Sequence, residues 1–205
     1  MLPLYDEERV SFSFPLITAS LIFLNVFFFL WTLPDLNRAI EVYGFIPSDI
    51  LSGKKMANVL TAVFLHGGFL HIIGNMWFLW LFGNNLEAKL GKLKFLIFYL
   101  LCGVLANLIY CFFAPLKNVF VIGASGAISG ILGGYLVFFP KNKIKTIIPL
   151  GFFITTASLP AIIFLLIWFL YQFILPIPGI AHGVHIIGFL IGILLAFPLL
   201  KTKSS

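Results

Sequence analysis

The chain has 205 residues, 61% of them apolar and only 10% charged, with 25 phenylalanines. Soluble domains average about 45–50% apolar and about 25% charged, so a water-soluble globule of this length is excluded and the bilayer is the expected solvent. The formal charge of +6 is read by its location before any nucleic-acid partner is invoked.

Six apolar segments follow in chain order: residues 12–33, 70–86, 95–115, 121–140, 158–175 and 181–200. Each is near the ~20 residues that cross ~30 Å of hydrocarbon as a helix. The first is not a signal peptide. Asp6, Glu7 and Glu8 precede it, the run is too long, and no small-residue cleavage site follows. The third holds Cys102 and Cys111, whose spacing is neither that of metal ligands nor of a disulfide framework. No Lys, Arg, Asp or Glu falls between Thr146 and Leu200, a stretch that must hold at least two crossings. Pro149, Gly151 and Pro160 punctuate its first part. The fifth helix is therefore expected to start at Ser158 as N-cap, with Pro160 in the first turn.

Positive charge orients the spans. With six crossings, one side holds Arg9, Lys89, Lys92, Lys94, Lys141, Lys143, Lys145, Lys201 and Lys203; the other holds Arg38, Lys54, Lys55 and Lys117. The excess marks the first side, with both termini, as cytoplasmic. The net charge is thus mainly a topology signal and an attraction to anionic lipid, and it needs no nucleic acid. The expected fold is an all-α, six-transmembrane-helix bundle forming a single domain over residues 1–205. The bare six-span form points to a bacterial inner membrane. The connection 34–69 is long enough to be functional, and part of it is expected in or on the outer membrane interface.

Ionisable side chains in hydrocarbon are expensive and mark functional candidates. His66 and His71 lie at the start of the second span, His182 and His185 at the start of the sixth, and Ser125 at the start of the fourth. All are expected at the outer end. That convergence at one depth is the clearest clue to a site. His66 is read as structural, holding the loop that leads into the second span. Asn107, Ser20 and Thr18 are read as ordinary helix-packing residues.

Spacing adds to this. His71 and Asn75 are four apart and share a helix face. Gly126, Gly130 and Gly134 repeat at four in the fourth span, and His185 is followed on one face by Gly188, Gly192 and Ala196. Glycine stripes let membrane helices approach closer than the usual ~8–10 Å. A serine hydroxyl is short, so reaching a histidine nitrogen at ~2.6–3.2 Å requires such an approach. A Ser125–His185 pair could then act as nucleophile and general base. No Asp or Glu stands in these spans to orient the histidine. Asn75, His71 and the backbone N–H of Ser125 are the available oxyanion donors.

The run His66-Gly-Gly-Phe-Leu-His71-Ile-Ile-Gly-Asn75-Met-Trp77, then Gly123-Ala-Ser125-Gly126, then His185-Ile-Ile-Gly188 resembles the rhomboid intramembrane serine proteases. The three motifs stand in family order between Thr61 and Ala196. The resemblance implies a six-helix rhomboid-like core with Ser125 as nucleophile, His185 as base, and His71 and Asn75 as oxyanion donors. It also implies that residues 34–69 match the family's membrane-embedded first loop and that the fifth helix matches its proposed substrate gate. Substrates would be single-span membrane proteins, cut near the outer end of a helix rich in small residues and helix breakers. No cofactor is implied. Four positions depart from the family pattern. Ala57-Asn58 stand where many members have Trp-Arg, Ser129 where many have a tyrosine that stacks on the base, and Lys89 where an arginine often follows Glu87.

Two rival functions remain. Four histidines at one depth could bind a metal, although no carboxylate joins them and no H-E-x-x-H occurs. A non-catalytic scaffold could instead bind transmembrane helices without cutting them. A transporter fits less well, because a charged pathway is missing.

Overall fold

The chain begins with a strand. In the computed structural model, which describes residues 1–8, 14–150, 153–174 and 181–201, β1 (Leu2–Asp6) is followed by α1 (Leu16–Thr32). Phe23, Phe27, Leu30 and Trp31 of α1 are exposed, whereas Leu21, Asn25 and Phe29 are buried. That is the distribution expected of a helix with one face in lipid. The first backbone amides of α1 find no acceptor in their own helix. The buried carboxylate of Glu87 takes that part across the fold, accepting from Ile17 N (2.9 Å), Thr18 N (2.8 Å) and Thr18 Oγ1 (2.7 Å). An anion at the positive end of a helix is favourable on electrostatic grounds as well.

The connection 34–69 is built from three short helices, α2 (Leu36–Tyr43), α3 (Pro47–Leu51) and α4 (Asn58–Thr61). Asp35 caps α2 through Arg38 N at 3.3 Å, and Pro47 starts α3 where no amide is needed. Asn58 fastens the loop by donating from Nδ2 to Val42 O (2.9 Å) and Gly44 O (2.7 Å). Thr61 Oγ1 adds a bond to Tyr43 O at 2.7 Å. Asn107 reaches in from the bundle to Val59 O at 2.9 Å. These amides anchor the loop to itself and to α6.

The bundle proper consists of α5 (Phe69–Leu90), α6 (Lys92–Phe113), α7 (Ser125–Phe138), α8 (Ala161–Ile174) and α9 (His182–Ala196). α7 is the central helix, with every residue from Gly126 to Tyr135 buried. Its glycines meet α9 backbone to backbone. A Cβ on Gly188 would strike Gly126 O, one on Gly192 would strike Gly130 O, and one on Gly133 would strike Phe189 O. On the other side, a Cβ on Gly130 would occupy the place of the Cys102 side chain, and Gly134 faces the Phe98 ring. Cys102 and Cys111 are both buried free thiols.

An all-α fold needs correction. β1, β2 (Lys143–Leu150) and β3 (Phe153–Pro160) form an antiparallel sheet in the order β1-β2-β3. The sequence Lys-Ile-Lys-Thr-Ile-Ile alternates at its start and is β-branched, both of which favour a strand. Pro149 lies beyond the reach of β1, which pairs only with residues 144–147, so its missing N–H faces an unpaired edge. Ser158 accordingly does not cap a helix. It lies in β3 and donates to Glu7 Oε1 at 2.6 Å, and α8 starts at Ala161. Gly151, one of the punctuating residues, lies outside the described residues, as do Arg9 and Lys203 from the charge comparison.

Among the described residues, three helical segments are long and apolar enough to cross a membrane: Leu16–Tyr43, Lys92–Phe113 and His182–Leu200. The pair Asn58–Phe64 and Phe69–Leu90, bent by 91°, makes a fourth if counted as one span. α7 and α8 are apolar but have 14 residues each, about 21 Å of helix. α7 is enclosed by protein over Gly126–Tyr135.

The sheet lies at the opposite end from the histidines. Asp6 of β1 accepts from Asn85 Nδ2 and Tyr135 Oη, at the far ends of α5 and α7. Asn85 is about 21 Å along α5 from His71.

Candidate active site

The starts of three helices and the middle of a fourth converge on a cavity of about 550 Å³, whose lining includes His71 and Asn75 of α5, Ser125 and Ser129 of α7, Trp168 of α8, and His185 of α9. A neighbouring cavity of about 630 Å³ shares Leu70, His71, Val121, Ile122 and Ala181 with it and extends past Gly67 and Ile40 of the loop region. His71, Asn75, Ser125 and His185 therefore share one space, with a second space beside it on the loop side, whereas His66 and His182 line neither.

Ser125 is the first residue of α7, where amides lack intrahelical acceptors and the helix dipole favours negative charge. The chain reaches it through Gly123, whose φ is +118°. Gly123 N donates to Ala62 O at 2.8 Å, and Phe45 and Val121 exchange a pair of backbone bonds at 3.3 and 2.8 Å. The approach to Ser125 is thus stitched to the loop region. Ser129, one turn on, is buried and donates from Oγ to Ser125 O at 2.6 Å.

Gly67 N donates to His71 Nδ1 at 3.3 Å. A nitrogen that accepts carries no proton, so the proton of neutral His71 sits on Nε2. That nitrogen stands where a side chain on Gly123 would be: a Cβ built there would lie 2.7 Å from His71 Nε2 and 3.8 Å from Ser125 Oγ. His71 hence presents an N–H donor beside the serine. Its ring meets His66 edge-on at 5.1 Å, and His66 itself is fully buried. Asn75 Nδ2 donates to His71 O at 3.0 Å, which leaves its second amide hydrogen for the cavity.

His185 is brought to the same cavity by the close α7–α9 contact. Among the described residues there is no direct hydrogen bond between His185 and Ser125 Oγ. The His185 Nδ1 instead lies 2.9 Å from Gln172 Oε1, and His182 Nδ1 lies 3.0 Å from the same oxygen. Trp168 flanks the His185 ring at 6.3 Å between centroids and 31° between planes. The aromatic ring beside His185 therefore comes from α8, while Ser129 stands one turn after Ser125 on α7.

The family model for the rhomboid domain matches residues 53–202. The chain belongs to the rhomboid family. Rhomboid protein 1, mitochondrial, of Saccharomyces cerevisiae is 32% identical over 130 residues, covering 61% of this chain and 37% of that protein. RHOMBOID-like protein 4 of Arabidopsis thaliana is 31% identical over 163 residues, 77% of this chain and 37% of that protein. Rhomboid-like protease 3 of Toxoplasma gondii is 32% identical over 98 residues, 48% of this chain and 36% of that protein. The chain spans less than two fifths of the length of these relatives. Rhomboid membership and the apolar helices make it an integral membrane protein of a family that includes proteases.

Sequence reasoning passed over Gln172, Trp168 and Gly133. Gln172 had a usable signal, since it is the one amide side chain in the fifth apolar segment. Trp168 gave none among so many aromatics.

Proposed function

We propose that this rhomboid is an intramembrane serine endopeptidase that cuts single-span membrane proteins near the outer face of the bilayer. The observation that carries this is the convergence of Ser125, His185, His71 and Asn75, from three helices, on one cavity. In this reading the chain is a single domain of six spans, α7 and α8 included, with both termini cytoplasmic and the cavity toward the outer side.

The chemistry follows from the groups present. Ser125 Oγ attacks the carbonyl carbon of the substrate as His185 Nε2 takes its proton. Charge gathers on the carbonyl oxygen, within reach of His71 Nε2–H, the Asn75 amide and the backbone N–H of Ser125. The imidazolium returns the proton to the amine, the C–N bond breaks, and the acyl group stays on Ser125. Water, entering through the adjoining loop-side cavity, loses a proton to His185 and hydrolyses the ester. No cofactor enters this scheme. Ser125 and His185 must close to hydrogen-bond distance once substrate is bound, a tightening common in such sites.

The experiment is cleavage of a fluorescent single-span polypeptide by purified protein in detergent. It compares wild type, Ser125→Ala and His185→Ala, with chelator in parallel. Cleavage by wild type alone, indifferent to chelator, is expected. An active Ser125→Ala that chelator inhibits would move the chemistry to a histidine-bound metal, and capture without cleavage would favour a helix-binding scaffold.

A further inference from the structure

The base has a partner outside the Ser–His pair. Gln172 is buried near the end of α8. Its Nε2 donates to Trp168 O at 3.0 Å, one turn back in the same helix. A carbonyl only accepts, so this bond fixes which end of the amide carries the oxygen. Oε1 is therefore the atom at 2.9 Å from His185 Nδ1 and 3.0 Å from His182 Nδ1. An amide oxygen has no proton to give, so both rings donate to it. In neutral His185 the single proton is then on Nδ1, and Nε2 is left with a lone pair.

We propose that Gln172 is a positioning residue that holds His185 in the tautomer and ring orientation of a general base, in the role a carboxylate fills in a Ser–His–acid triad. The proposal rests on reading Ser125 and His185 as a catalytic pair. A neutral acceptor suits this place, because a carboxylate buried beside hydrocarbon is costly unless paired. The arrangement also mirrors His71, where a backbone donor forces the opposite tautomer. One histidine thus offers a proton and the other accepts one, each set by the partner of its Nδ1. Acceptor and flanking ring come from a single turn of α8, so the base is held only while α8 lies against α9.

The test uses the whole chain in detergent with a fluorescent single-span polypeptide as probe. Gln172→Met keeps the side-chain length and removes the oxygen, whereas Gln172→Glu keeps an acceptor. For Gln172→Met, kcat should fall about ten- to hundredfold with KM within about twofold, below the ~10⁴-fold seen when a charged orienter is lost. Gln172→Glu should recover most of that loss. In ¹⁵N-histidine NMR of the wild type, the His185 signals, identified by their disappearance in His185→Ala, should report protonation on Nδ1. Wild-type kcat in Gln172→Met, or a wild-type His185 protonated on Nε2, would overturn the proposal; the second readout needs no variant to fold. A wild type that shows Nδ1–H but never cleaves would instead remove the protease reading, so the two failures are told apart.

Discussion

His71 Nε2 occupies the space a side chain on Gly123 would need, 2.7 Å from where its Cβ would stand. The backbone there has φ +118°, a region that L side chains rarely adopt. Gly123→Ala thus strains the turn and displaces the His71 ring together. Turnover should fall by at least about 10²-fold, the usual cost of losing one oxyanion donor. A steady-state assay together with fluorophosphonate labelling of Ser125 checks this; normal turnover would mean that His71 is not a working donor.

Asn75 poses a cleaner question. Among the described residues its side chain bonds only the carbonyl one turn back in its own helix, so removing it separates no two helices. Asn75→Ala should lower kcat about 10²–10³-fold while the melting temperature in detergent stays within a few degrees. A wild-type kcat would take Asn75 out of the oxyanion site.

The convergence of the candidate residues on one cavity was more legible than the frame around it. His71, Asn75, Ser125 and His185 stood out because polar side chains are rare in such a sequence, and i, i+4 spacing assigned them to faces. The glycines at 126, 130, 188 and 192 were legible for the same reason, since small residues at regular spacing have few other uses in a membrane helix. The sheet was missed because hydropathy is blind to backbone geometry. Residues 143–160 are apolar enough to resemble part of a span, and the partner strand lies far away in sequence at Leu2–Asp6. Gln172 was missed because its meaning depends on contacts with α9, which spacing along α8 cannot reveal.

Glu87 makes a prediction about stability. Three donors from the start of α1 converge on its buried carboxylate, and Glu87→Ala leaves all three without an acceptor. Each hydrogen bond to a charged group is worth ~1.5–3 kcal/mol, but relaxation and water at the membrane edge recover part of it. A net loss of about 2–4 kcal/mol is expected. Thermal unfolding in detergent should show a clear drop for Glu87→Ala and a smaller one for Glu87→Gln, which keeps one acceptor. An unchanged melting temperature for Glu87→Ala would show that the cap contributes nothing.

Gly192 separates packing from chemistry. Its missing side chain is what lets α9 rest on Gly130 O, and the obstacle is backbone, which cannot rotate away. Gly192→Ala forces α7 and α9 apart, at a cost of roughly 1–3 kcal/mol for overpacking. Because Ser125 and His185 ride on those two helices, the separation should also lengthen their approach in the substrate complex. Gly192 lies two turns below His185 and touches no reacting atom, so any loss of kcat must arrive through helix spacing. A distance measurement between spin labels on α7 and α9 should widen in step with the fall in kcat. A variant with unchanged spacing and full activity would show that the contact at Gly130 is not what sets the Ser125–His185 approach.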